Sequence, residues 1–92
     1  MQTAHLAEAF RMNYAVHHGG KSLNNVANLQ VIMAIPNTGF FEVLLPDGAQ
    51  KCGLVEDITV ARDGLVHAPA GPRLGYEIDF ALVVHKKISV LR

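Results

Sequence analysis

Residues 40 to 45 read Phe-Phe-Glu-Val-Leu-Leu, an apolar run of strand length broken only by Glu42. A strand with one wet face alternates apolar and polar side chains. A continuous run suits a strand covered on both faces, as in a parallel sheet flanked by helices. The residues before it fit that arrangement. Residues 3–12 predict a helix, with Thr3 as its cap and Leu6, Ala9 and Phe10 on one face. Tyr14 to His18 predicts a short strand ended by Gly19-Gly20. Ser22 is placed to cap a second helix, whose broad apolar face includes Leu23, Val26, Ala27, Leu29, Val31 and Ile32. Pro36 and Asn37 stop it. Helix, strand, helix, strand with short connections is the α/β pattern of a parallel sheet.

Beyond Pro46 the pattern changes. Pro46-Asp47-Gly48 signals a turn. Residues 58–61 and 65–68 flank Arg62-Asp63-Gly64 and predict a β-hairpin with an Asp-Gly turn. Pro69, Gly71, Pro72 and Gly75 make an irregular loop. Asp79 to Lys87 predicts a short helix, with Asp79 near the N-cap and His85, Lys86 and Lys87 at the end where the helix dipole favours cations. Ile88 to Leu91 closes as a strand. Residues 1–45 therefore read as sheet and helix, and residues 46–92 as an extended arm of the kind that packs on something else.

Composition narrows the function classes. Half of the 92 residues are apolar and 17% are charged, which excludes a disordered charged tail. Eight basic and eight acidic residues cancel, leaving no whole-chain electrostatic footprint for nucleic acid or an anionic membrane. The unbroken stretch Val31 to Ile35 falls far short of the ~20 residues of a spanning helix. One cysteine, Cys52, excludes an internal disulfide framework and a four-cysteine zinc site. No signal segment opens the chain at Met1 to Phe10, so the expected compartment is the cytoplasm. The chain shows no internal repeat. A short, apolar, weakly charged chain buries a modest share of its surface and invites a partner surface.

Few residues carry chemistry. His17 and His18 sit at the C-terminal end of the first predicted strand, where α/β folds build their sites. Successive strand residues point to opposite faces, so one of the pair faces a site. An imidazole there serves as general acid or base, or stands as a solvated loop histidine. Glu42 lies in the second predicted strand among Phe40, Phe41, Val43 and Leu44. It either meets a partner or substrate, or points to water from an edge strand. Asn25 and Asn28 share a helix face, read mainly as solvated. Gly19-Gly20-Lys21-Ser22 resembles the tail of a phosphate loop, but the first glycine of that motif is missing. Cys52 reads as a passive thiol, and His5, His67 and His85 show no constellation. No cluster of ligands at metal-binding spacing occurs.

Taken together, His5-Leu6-Ala7-Glu8-Ala9-Phe10, Val16-His17-His18-Gly19-Gly20, Asn24-Asn25-Val26-Ala27-Asn28-Leu29 and Pro36-Asn37-Thr38-Gly39-Phe40-Phe41-Glu42 resemble the C-terminal part of the enolase superfamily. The tail agrees, through Gly53-Leu54-Val55-Glu56-Asp57, Asp63-Gly64-Leu65-Val66 and Pro69 to Gly75. The nearest character is that of the mandelate racemase/muconate lactonizing enzyme group, acid-sugar dehydratases included.

The resemblance implies a fold: an α/β chain forming part of a (β/α) barrel, its last two strands and their helices, followed by an irregular, hairpin-containing C-terminal arm. Residues 1–45 would be the barrel units, and residues 46–92 the arm returning to the capping domain. A full barrel takes about 250 residues, so the expectation is the last part of such an enzyme. The resemblance also implies roles. His17 matches the histidine that moves a proton α to a carboxylate; His18, its neighbour by register, takes that place on a shift of one residue and otherwise is expected to bind substrate. Glu42 matches the glutamate that meets the substrate carboxylate and its enediolate. Magnesium serves the intact enzymes, and the resemblance puts its ligands on strands absent from this chain. The expected substrate is an acid sugar or hydroxy acid. The expected partners are the remaining barrel and capping domain, and the chain is expected to be inactive by itself. The rival expectation is a small non-catalytic module that self-associates through its strand edges.

Overall fold

The computed structural model describes residues 1–17, 20, 22–43, 46, 48–49 and 51–89. Three helices follow in chain order: α1 (Gln2–Ala9), α2 (Leu23–Ala34) and α3 (Phe80–His85).

The bounds of α2 follow from its sequence. Ser22 occupies the N-cap position, and the chain turns extended at Ile35, ahead of Pro36. The Ser22 hydroxyl makes no capping bond, however. Its backbone sits at φ 61°, and its carbonyl accepts from the N–H groups of Asn25 and Val26 at 3.1 and 3.3 Å. α3 is capped as expected, by the Asp79 carboxylate accepting from Leu82 N–H at 2.9 Å. Thr3 lies inside α1 rather than at its cap, which is Met1.

The core joins the two halves of the chain. Val26 and Leu29 of α2 pack with Leu54 and Ile58, and Phe41, Val66, Leu74 and Tyr76 close around them. Asn25 is also fully buried, which corrects its reading as part of a solvated face. It lies one helical turn before Leu29 and shares that residue's buried face. The expected apolar face of α1 has the opposite fate. Ala4 is its buried residue, while Leu6 and Phe10 are exposed. Periodicity shows that a helix has an apolar face, but only a neighbour can bury it.

The expected strands are not formed among the described residues. One antiparallel bridge, Leu54 with Ile78, is the sheet-like pairing there. It is framed by Val55 N–H donating to Glu77 O at 3.0 Å and Asp79 N–H to Gly53 O at 2.9 Å. The Asp-Gly turn does form. Gly64, at φ 80°, donates to Ala61 O, and Ala61 N–H donates to Leu65 O at 2.8 Å. Among the described residues its two arms make no further ladder bond. A strand needs hydrogen-bonded neighbours along its length, and apolar runs do not supply them. Leu44, Leu45 and residues 90–92 lie outside the described residues.

The radius of gyration is 15.1 Å, whereas a compact chain of this length gives about 12 Å. Phe10, Phe40 and Ile88 are 72%, 83% and 99% exposed. The thermal transition of the isolated chain, followed by circular dichroism, is therefore expected to be broad, with gel filtration showing expanded or associated material. A sharp melt at the size of a compact 10.0 kDa monomer would contradict this.

Candidate functional site

The segments 12–17 and 35–43 lie side by side, joined by Tyr14 N–H donating to Asn37 O at 2.8 Å. Phe41 turns inward onto the core cluster, while its neighbour Glu42 is exposed. Likewise Val16 is half-buried and His17 exposed. Both segments thus present one polar side chain outward while a neighbour is covered.

The outward pair meets. His17 Nδ1 lies 3.0 Å from Glu42 Oε2, with the side chains 84% and 44% exposed. The sequence singled out these two residues separately, and the structure brings them together. A carboxylate on Nδ1 sets which ring nitrogen carries the proton and leaves Nε2 for proton transfer. His18 lies outside the described residues. The magnesium that the resemblance implies finds no fitting donor set. Among the described residues, no three His, Cys, Asp or Glu side chains come together where they can hold a metal ion.

A second histidine pair escaped the sequence reading. His67 Nε2 lies 2.8 Å from Asp63 Oδ2 across the hairpin turn. The signal was Asp63 preceding His67 by four residues around an Asp-Gly turn. Asp63 Oδ1 also accepts from Leu65 N–H at 3.0 Å. That backbone bond holds the Asp63 carboxyl below its ordinary 3.8 against the opposing effect of burial, and His67 adds to the lowering. A depressed carboxylate stabilises the fold above its unfolded pKa, and that contribution disappears as pH falls through the lower folded value. Acidification below about 4 is expected to loosen the 61–67 turn, read by NMR as loss of the Leu65 amide shift. In Asp63→Asn that pH dependence should vanish.

Two cavities lie elsewhere. An open groove of about 800 Å3 is lined by Leu23, Val55, Arg73, Leu74, Tyr76 and Phe80, among others. A second, of about 430 Å3, includes Glu56, Asp57, His67 and Tyr76. Burial, followed by the charges of Asp57 and Glu56, pushes the Tyr76 phenol up from its ordinary 10.0 and keeps it neutral. Neither cavity is lined by His17 or Glu42. No helix among the described residues is long and apolar enough to cross a membrane.

No curated protein and no solved structure matches the chain. The enolase C-terminal domain-like family matches it over residues 1–82. That span takes in α1, the His17–Glu42 pair, the whole core cluster and the start of α3. The chain is a member of the enolase C-terminal domain-like family.

Proposed function

We propose that this chain is the C-terminal part of a magnesium-dependent enolase-superfamily dehydratase or racemase, acting on an acid sugar or hydroxy acid. The observation that carries the reading is the His17 Nδ1–Glu42 Oε2 contact at 3.0 Å within the matched span. In this reading His17 Nε2 takes the proton from the carbon α to the substrate carboxylate. The C–H electron pair moves into the enediolate as that bond breaks. Glu42 meets the substrate carboxylate as it becomes the enediolate, through the carboxyl oxygen not facing His17. In a dehydratase the imidazolium then returns its proton to the departing β-hydroxyl. In a racemase a second base on the opposite face of that carbon returns a proton to it, and His17 gives its own proton when the reaction runs the other way.

The chain is one part of this machinery. The partial barrel, with residues 1–45 as its last βα units and 46–92 as the arm, remains the architecture proposed for it. The exposed Leu6, Phe10, Phe40 and Ile88 support a covering partner, and the remaining barrel and capping domain are the partner this reading names. The same exposed residues also favour the rival module that pairs with copies of itself, which analytical ultracentrifugation of the 92-residue chain separates from it as a defined oligomer.

The experiment is α-proton exchange. The natural protein carrying this segment is incubated with magnesium and a panel of acid sugars and hydroxy acids in deuterated water, and NMR follows α-deuteration and loss of water. Exchange by that protein and none by residues 1–92 alone is the expected result. Full exchange by residues 1–92 alone, or none by the natural protein on any member of the panel, counts against the reading.

A further inference from the structure

We propose that Asn37 is a positioning residue that holds His17 and Glu42 in register; the inference rests on reading those two as a working pair. Asn37 Nδ2 donates to Ala4 O at 3.0 Å and to Met12 O at 3.1 Å. Its backbone carbonyl accepts from Tyr14 N–H at 2.8 Å. One residue thus grips α1 in its first turn, grips the chain just past the end of α1, and bonds the segment that runs on to His17. The same chain runs forward from Asn37 to Glu42.

The pair needs such a support. An ion pair this exposed contributes little and does not hold two backbones in place by itself. The Tyr14–Asn37 bond joins the backbones of segments 12–17 and 35–43 directly. The carboxamide supplies its direction. Its nitrogen faces two carbonyl oxygens, and its oxygen is buried without a partner among the described residues. A carboxylate of the same shape has no hydrogen to give and sets a negative charge against both carbonyls.

The test uses the natural protein carrying this segment, with labelled histidine, valine and leucine. The His17 ring ¹⁵N resonances are recorded for the wild type, Glu42→Gln, Asn37→Asp and the milder Asn37→Ser. Glu42→Gln defines the shift that accompanies loss of the pair. Asn37→Asp is expected to reproduce that shift fully and Asn37→Ser in part, with the Val26 and Leu29 amide resonances unmoved. His17 resonances that stay at their wild-type positions in both Asn37 variants overturn the proposal. So does loss of the Val26 and Leu29 resonances in both variants, which assigns Asn37 to general stability. If Glu42→Gln itself leaves His17 unmoved, the pair is absent, and the functional reading fails along with the proposal.

Discussion

His17→Asn is expected to lower α-proton exchange by the natural protein by about 10²–10⁴-fold, the usual worth of a positioned general acid or base. Asparagine keeps a polar side chain of similar reach but cannot take up the proton. The fold should not notice. His17 is 84% exposed, so the change opens no cavity, and an exposed ion pair contributes only about 0.2–1 kcal/mol. Far-UV circular dichroism and the urea midpoint of the variant should therefore match the wild type. The rate should fall in kcat more than KM moves, because the lost interaction belongs to the transition state. Unchanged exchange in His17→Asn would falsify the assignment of the proton-transfer role.

Leu29→Ala is the mirror case, with a large effect on structure and none assigned to chemistry. Leu29 is among the largest fully buried side chains and lies in the cluster with Val26, Leu54 and Ile58. Removing a buried leucine side chain costs about 2–5 kcal/mol, through lost transfer energy and the cavity left behind. Few other apolar residues share the load here: Ala4, Val26, Ile35, Leu54 and Ile58 complete the buried apolar set among the described residues. A loss of that size is a large fraction of the ~5–15 kcal/mol that holds an ordinary domain together. Most of the helical circular dichroism signal of the chain at 25 °C is expected to disappear. The exposed Leu6→Ala serves as the control and should leave it in place. Equal spectra for the two variants would mean that the α2 cluster does not hold this chain together.

The helices were legible because their signals are local. The periodic face of α2, the proline after it and the Asp79 cap of α3 all act within a turn or two of chain. His17 and Glu42 were legible as candidates from equally local signals: His17 ends a short predicted strand before Gly19-Gly20, and Glu42 is a lone carboxylate in an apolar run. Other features were not. Leu6 and Phe10 have the spacing of a core face, yet they are exposed. Asn25 has the polarity of a surface residue, yet it is fully buried. His67 showed no constellation along the chain until the turn carried it to Asp63.

By itself, then, the sequence determined where the helices run, which two polar residues to single out as candidates and which family the chain resembles. Those follow from hydrophobic period, capping groups and motif order. The tertiary structure alone decided that Glu42 meets His17, that Asn37 ties their two segments to α1, and which apolar faces are covered. Each of these depends on which distant stretches of backbone become neighbours. No local run of residues encodes that proximity, because it joins side chains and carbonyls from separate stretches of chain.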